Sequence, residues 1–256
     1  MPDDQTPPET FLPYAELMAD WDDRLAHEGP FFQRAFSSVG AQRVLDCACG
    51  TGHPVRQFVR WGLDAVGSDP SVAAVEEARR LSRKAGAAVR FEVADLAHLP
   101  EVFTQPFDAV TCRGALPLAG SPDGIRAAVA GMRDVLRSDG LLVLQCRNFG
   151  LIPEGRTGVR GPRVRQMDDR EVLMLEIFRK TRRRCDRTRL VLEKQAGEWN
   201  RYERHEQAWA LAPEELEGML TDAGFGRLQR YGVVDPKPFD PQRSPDLIVV
   251  ARKAKA

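Results

Sequence analysis

The chain has 256 residues, 43% of them hydrophobic, which is enough for one α/β domain or two small ones. Lys plus Arg equals Asp plus Glu, at 37 each, so the charge balance gives no reason to expect a nucleic-acid or anionic-membrane partner. The absence of a low-complexity linker predicts a single domain over residues 1–256. We find neither a secretory leader nor an apolar run of about 18 residues, which predicts a cytoplasmic protein.

Apolar residues at helical spacing predict a helix over residues 11–27, within an N-terminal helical cover over residues 1–40. Tyr14 and Trp21 lie on this helix. Aromatic side chains on such a helix ordinarily pack in a core, and that is the expectation for most of them.

A short apolar strand that begins near Val44 runs into a turn of small residues, and a segment with helical spacing follows. Ala48, Gly50 and Gly52 alternate in the turn, and their lack of bulk lets backbone N–H groups and a helix N-terminus approach a polar ligand. Asp46, at the strand's end, can accept hydrogen bonds from that ligand. The sequence therefore predicts a cofactor site here.

The next two predicted strands also end in acids. Asp69 follows Gly52 by 17 residues, close to the spacing of about 20 expected for a ribose-binding acid. Asp95 ends the third strand. A nicotinamide or flavin dinucleotide fold would want a third glycine where Val55 stands, so this competing interpretation is disfavoured.

Three acids at successive strand ends and a D-x-A-x-G-x-G turn resemble the class I S-adenosylmethionine-dependent methyltransferases. The resemblance implies a doubly wound α/β fold, with a seven-stranded sheet whose last strand is antiparallel, and S-adenosylmethionine as cofactor. In that family the first acid and the turn hold the methionine part, the second acid the ribose and the third the adenine amino group. Carried over by position, the expected cofactor residues are Asp46, Cys47, Ala48, Gly50, Gly52, Asp69, Pro70, Asp95, Leu96, Cys112 and Arg113.

The corners after the fourth and fifth strands indicate the acceptor. Neither an Asn/Asp-Pro-Pro-aromatic tetrad nor a Pro-Cys nucleophile is present, so a nucleic-acid base is not expected. The Cys112-Arg113-Gly114 corner is similar to that of glycine N-methyltransferase-like enzymes, although Ala115 replaces their Asn and removes one hydrogen bond near the acceptor. Arg147-Asn148-Phe149 resembles their Arg-Asn-Tyr triplet, whose arginine grips a carboxylate. A structural ion pair is the alternative role for Arg147.

Residues 150–210 fit no βαβ unit and are predicted to form an insert of three antiparallel strands that covers the strand ends as a lid. Between Arg147 and Arg189 there are 13 Lys and Arg against 6 Asp and Glu. A solvated hairpin tip is favoured over an anion or RNA contact, because no aromatic residues alternate with the arginines.

The resemblance implies methyl transfer to a small-molecule acceptor, an amine in the first instance, by a monomer or homo-oligomer. O-methylation with His205 as base, a non-catalytic protein and an RNA- or protein-directed enzyme remain alternatives. The expected catalytic residues are Arg147, Tyr14 and His205. The expected acceptor-binding residues are Tyr14, Trp21, Arg147, Asn148 and Trp209.

Five cysteines, an odd number at unpaired spacings, predict reduced thiols rather than a disulfide framework. Four of them, Cys47, Cys49, Cys112 and Cys146, should lie near strand ends, where thiols can meet and bind a soft metal. Because this is not a recognised zinc spacing, we expect buried packing residues and no metal.

Overall fold

The computed structural model describes residues 8–167, 169–232 and 237–255. Two compact units are present. The core unit comprises Trp21–Leu151 and Leu211–Ala256, and the insert unit comprises Met1–Asp20 and Ile152–Ala210. Within the described ranges, every helix is too short or too polar to cross a membrane.

The core unit contains a seven-stranded sheet in the order β10-β11-β5-β4-β1-β2-β3. The strands are β1 (Arg43–Cys47), β2 (Asp64–Asp69), β3 (Arg90–Val93), β4 (Phe107–Arg113), β5 (Leu136–Arg147), β10 (Phe225–Tyr231) and β11 (Asp246–Lys253). The first five pair in parallel, whereas β11 runs antiparallel between β5 and β10. The predicted fold class, with its antiparallel last strand, is confirmed.

Helices accompany the strands of the core unit, as the alternation of periodicity predicts. They are α2 (Trp21–Ser37), α3 (His53–Arg60), α4 (Val72–Lys84), α5 (Leu99–Val102), α6 (Pro122–Asp134) and α7 (Pro213–Asp222). Val44, Val110 and Leu142, on the three central strands, are fully buried. Continuous apolar runs are typical of parallel strands covered on both faces. The carboxyl ends of β1, β2, β3 and β4 therefore lie along one edge of a rigid sheet.

The predicted single helix over residues 11–27 is wrong. The structure has α1 (Pro8–Met18) in the insert unit and α2, which begins at Trp21, in the core unit. Asp22 and Asp23 lie in the first turn of α2, where negative charge complements the helix N-terminus. Apolar periodicity continues across this break, and for that reason spacing alone does not reveal it.

The insert unit has a four-stranded antiparallel sheet in sequential order, one strand more than predicted. Its strands are β6 (Thr157–Met167), β7 (Arg170–Lys180), β8 (Arg184–Gln195) and β9 (Glu198–Trp209). The missed strand, β6, contains Gly158, Gly161 and Pro162, residues that weaken a strand signal but are tolerated at a sheet edge. On one face of this sheet Phe11 and Met18 of α1 belong to an apolar cluster around Val191.

Candidate functional site

The loop after β1 is bent at alternate residues. Ala48, Gly50 and Gly52 have φ values of 61°, 56° and 76°, all in the left-handed region. The N–H groups of Cys49 and Gly52 donate to the carbonyls of Ser68 and Cys49 at 2.9 and 3.0 Å, which ties the loop to the end of β2 and to itself. Gly52 is also the N-cap of α3, and it has no side chain that could cap the helix. The first turn of α3 therefore begins directly after the loop without a side-chain cap.

Two glycines allow the loop to pack closely on the sheet. A Cβ at Gly52 would lie 2.5 Å from Cε1 of Phe91, and one at Gly67 would lie 2.5 Å from Cδ1 of the same ring. Gly50 differs, because a Cβ there would meet nothing within 4 Å. The loop therefore has a tightly packed side at Gly52 and an open side at Gly50.

Asp69, at the end of β2, joins this loop to the start of α4. Its Oδ2 accepts the Gly50 N–H at 2.9 Å, and its Oδ1 accepts the Ser71 N–H at 2.9 Å. Both carboxylate oxygens therefore fix the backbone at the end of β2. Pro70, between the two, is exposed.

Asp46 is 1% exposed and lies in a buried charged cluster. Thr111 Oγ1 donates to its Oδ1 at 2.6 Å, and Arg113 Nη2 donates to its Oδ2 at 2.9 Å. Arg113 Nη1 also donates to Glu28 of α2 at 3.2 Å. Burial lowers the pKa of Arg113, but Asp46 and Glu28 outweigh it and the pKa is raised, so the guanidinium stays charged.

Several buried side-chain donors in the core unit have no hydrogen-bond partner among the described residues: Nε1 of Trp21, Nε of Arg43, Arg113 and Arg252, and Oγ of Ser68 and Ser82. Two of them adjoin the loop, since Arg113 pairs with Asp46 and Trp21 contacts the residue that follows Gly52. The Trp21 ring stacks on His53, the first residue of α3, with centroids 4.4 Å apart and planes 7° apart. A buried donor without an acceptor is costly, and such groups are expected where a ligand supplies the missing acceptor.

The third predicted acid, Asp95, is exposed just beyond β3, and Leu96 beside it is buried. Asp95 Oδ1 accepts the Ala97 N–H at 2.9 Å, which fixes the carboxylate at the sheet edge. The structure thus places Asp46, Asp69 and Asp95 after or at the ends of β1, β2 and β3, as the sequence predicts.

Arg147 and Asn148 stand at the end of β5, where Arg147 is the register partner of Asp246 on β11. Asn148 is buried, and its amide donates to the carbonyls of Pro241 and Ser244 at 3.0 and 2.8 Å. Its Oδ1 accepts the Gly150 N–H at 2.9 Å. The Asn148 side chain therefore holds a loop in place. The proposed binding of the methyl acceptor by Arg147 and Asn148 stays a prediction.

Three predicted residues lie in the insert unit and are engaged there. The Tyr14 hydroxyl donates to Glu193 at 2.9 Å, and burial raises its pKa well above the ordinary value. His205 is exposed, with Nδ1 2.9 Å from Thr188 Oγ1. The ring of Trp209 lies 5.9 Å from the guanidinium carbon of Arg183. Their catalytic and acceptor-binding roles, and the lid role of the insert, stay predictions.

Cys47, Cys49, Cys112 and Cys146 are buried and carry free thiols. Burial raises the pKa of the Cys47, Cys49 and Cys146 thiols, which keeps them protonated. In the described ranges, no group of three or more His, Cys, Asp or Glu residues could hold a metal ion.

Comparison with known proteins shows what this region is similar to. A family model described as "Methyltransferase domain" matches residues 44–140, the segment that contains the loop and all three acids. This segment, which is less than half of the chain, is similar to a methyltransferase domain. The predicted resemblance to S-adenosylmethionine-dependent methyltransferases is therefore confirmed.

Two curated relatives match a longer stretch of the chain than the family model does. A glycine/sarcosine N-methyltransferase of Parasynechococcus marenigrum is 33% identical over 153 residues, which are 59% of this chain and 54% of that protein. One from Aphanothece halophytica is 31% identical over 145 residues, 56% of this chain and 55% of that protein. The chain spans about half the length of the curated relatives it matches.

A solved structure with the same fold is a sugar N-methyltransferase from Streptoalloteichus, with a TM-score of 0.77 and 22% identity, covering 96% of this chain and 93% of that one. An S-adenosylmethionine-bound amino pentose methyltransferase from Micromonospora echinaspora has a TM-score of 0.75 and 21% identity, covering 99% and 100%. At these identities the likeness shows the fold alone.

Sequence reasoning missed the partners of Asp46. Arg113 is among the predicted cofactor residues, but its pairing with Asp46 and Glu28 is not predicted, and nothing in the spacing of α2 marks Glu28. Thr111 lies two residues before Arg113 on β4. Because residues two apart on a strand share a face, this spacing is the one local signal that Thr111 lies beside the arginine.

Proposed function

We propose that the chain transfers a methyl group from S-adenosylmethionine to a small-molecule amine in the cytoplasm. The observation that carries the proposal is the loop at Ala48–Gly52, where Asp69 holds the Gly50 N–H at 2.9 Å and the space beside Gly50 stays open. A backbone of this shape accepts a polar ligand, and it lies within the segment that is similar to a methyltransferase domain.

The described residues fit the cofactor. The methionine carboxylate needs a donor, and the buried Nε–H of Arg113 can supply one. Asp69 is the proposed acceptor for the ribose hydroxyls, and exposed Asp95 can accept from the adenine amino group. Residues Asp46 and Glu28 keep Arg113 charged and in position.

When bound, the cofactor supplies an activated methyl group on a sulfonium. The chain's residues therefore act mainly by orienting the acceptor and excluding water, so positioning is the main source of rate. An amine must arrive in its neutral form to attack in line. Arg147, whose planar fork suits a carboxylate, is the proposed contact for an acidic group of the acceptor.

A pair of matched glycine variants tests the cofactor site. Gly50 and Gly40 have φ values of +56° and +57°, and a Cβ at either position meets nothing within 4 Å. Gly50→Ala and Gly40→Ala should therefore cost similar stability, about 1–2 kcal/mol each. By calorimetry, Gly50→Ala should weaken S-adenosylmethionine binding at least about tenfold, which is about 1.4 kcal/mol, and Gly40→Ala should leave it unchanged.

Equal binding by the two variants, or binding of a dinucleotide in place of S-adenosylmethionine, would contradict the proposed site. Transfer of a labelled methyl group to amines, phenols and RNA then identifies the acceptor class. Loss of turnover in His205→Ala with cofactor binding intact would favour O-methylation, and indifference would favour an amine. Transfer to none of the panel, despite tight cofactor binding, would support a non-catalytic protein.

A further inference from the structure

One face of the insert sheet carries a partly buried cluster of guanidinium groups, which we name the arginine cluster. Glu176 of β7 lies opposite Arg189 of β8, which lies opposite Arg204 of β9. Arg187 lies two residues before Arg189 on β8 and therefore on the same face, and it lies opposite Glu206 of β9. The arginine cluster consists of Arg160, Arg187, Arg189, Arg204, Glu176 and Glu206.

The two carboxylates are shared among the arginines. Arg189 and Arg204 approach Glu206 at 3.2 and 3.0 Å, and Arg187 also pairs with it. Glu176 has longer contacts, 3.7 Å from Arg160 and 3.8 Å from Arg189. Among the described residues, four guanidiniums thus surround two carboxylates, which leaves an excess of two positive charges.

This excess is held where solvent screening is incomplete. The side chains of Arg187, Arg189 and Arg204 are 24%, 21% and 32% exposed. Burial, and then the charge of Arg187, lower the pKa of Arg189 to about 10. The nearest acid along β8 on this face, Glu193, is engaged by Tyr14 and Arg170. Like charges at this spacing repel, so a purely structural network would be expected to carry more carboxylates.

We propose that the arginine cluster binds a phosphate group of a small molecule, with Arg187, Arg189 and Arg204 as its ligands. A phosphate dianion matches the excess of two charges, whereas a carboxylate would neutralise only one. The guanidinium fork donates two parallel hydrogen bonds to phosphate oxygens, and it is less strongly hydrated than an ammonium group. This site goes beyond the proposed methyl transfer, and its binding is measured without any turnover.

A ligand would reach the arginine cluster from the side of Arg204, whose side chain is 32% exposed. Arg204, the most exposed of the three ligands, can rearrange at low cost, while Arg189 stays anchored by Glu206 and Glu176. Binding would add the missing negative charges without breaking the existing pairs.

Calorimetry on the full chain, with inorganic phosphate at constant ionic strength, tests the site. Arg204→Gln should weaken phosphate binding at least about tenfold, since a charge-assisted hydrogen bond is lost. Arg204→Lys keeps the charge but not the fork, and an intermediate affinity is expected. The matched control is Arg201→Gln on the same strand, whose side chain is 66% exposed and points to the other face.

Phosphate should also raise the melting temperature of the wild type and of Arg201→Gln, and raise it less for Arg204→Gln. This second readout detects binding even if a variant loses some stability. Absence of heat with phosphate in the wild type, equal weakening by Arg201→Gln, or acetate binding as tightly as phosphate would each overturn the proposal.

Discussion

Two charged regions of this protein use arginine in opposite ways. In the core unit, one guanidinium, Arg113, bridges two carboxylates, and Arg24 supplies a further partner to Glu28. In the insert unit, four guanidiniums share two carboxylates across the arginine cluster. The first arrangement satisfies its charges within the chain, whereas the second leaves positive charge over. The balance of positive and negative charge, rather than the presence of arginine, distinguishes the two regions.

The strongest test of this contrast removes the balancing cation from the core unit. Arg113→Met should destabilise the protein by about 3–5 kcal/mol, because the buried Asp46 would lose its cationic partner and Glu28 would keep only Arg24. Urea denaturation of the purified chain measures this effect.

The control for that variant is Arg24→Met. Arg24 pairs with the same Glu28, but its side chain is 40% exposed, so the expected cost is at most about 1 kcal/mol. Similar losses for the two variants would mean that the buried cluster around Asp46 contributes nothing special to stability.

A second test separates the tightly packed side of the loop from its open side. Gly52→Ala should cost about 1–3 kcal/mol more than Gly40→Ala, because its Cβ meets the Phe91 ring at 2.5 Å in addition to the left-handed φ that both share. Equilibrium unfolding of both variants gives the difference. A smaller aliphatic side chain in place of the ring should relieve this clash, so Phe91→Leu combined with Gly52→Ala should recover part of the loss.

Acid titration tests how the arginine cluster of the insert unit acts on its carboxylates. Burial raises the pKa of Glu206, but Arg189, Arg187 and Arg204 outweigh burial and the pKa is lowered. A carboxylate with a depressed pKa contributes stability that is present above its ordinary pKa, near 4.5, and is lost as pH falls through the folded value. Unfolding free energies measured from pH 6 to pH 3 should therefore fall less steeply in Glu206→Gln than in the wild type.

The expected change is the smallest in this series, about 1 kcal/mol, because the cluster is partly screened by solvent. Glu203→Gln, on the opposite face of β9, serves as the control and should keep the wild-type slope. Equal flattening in both variants would show that the arginines do not act on Glu206 in particular.

Local patterns in the sequence determined the parts of this protein that depend on chain neighbours. The glycines of the loop, the acids at the ends of β1, β2 and β3, and the alternation of strand and helix predict the sheet and its similarity to methyltransferases. These features are readable because turn chemistry and side-chain periodicity act over a few residues. The sequence does not predict the break between α1 and α2, because apolar spacing continues across it. It does not predict the edge strand β6 either, because glycine and proline weaken the strand pattern there.

Only the tertiary structure decided which distant side chains meet. Arg113 reaches Glu28 across 85 positions of the chain, and Arg187 reaches Glu206 across 19. Such pairings depend on strand register and on which face each residue occupies, and a shift of one residue would reverse the face. The charge run between Arg147 and Arg189 was visible in the sequence, but its concentration around two carboxylates on one face follows from the register of β7, β8 and β9.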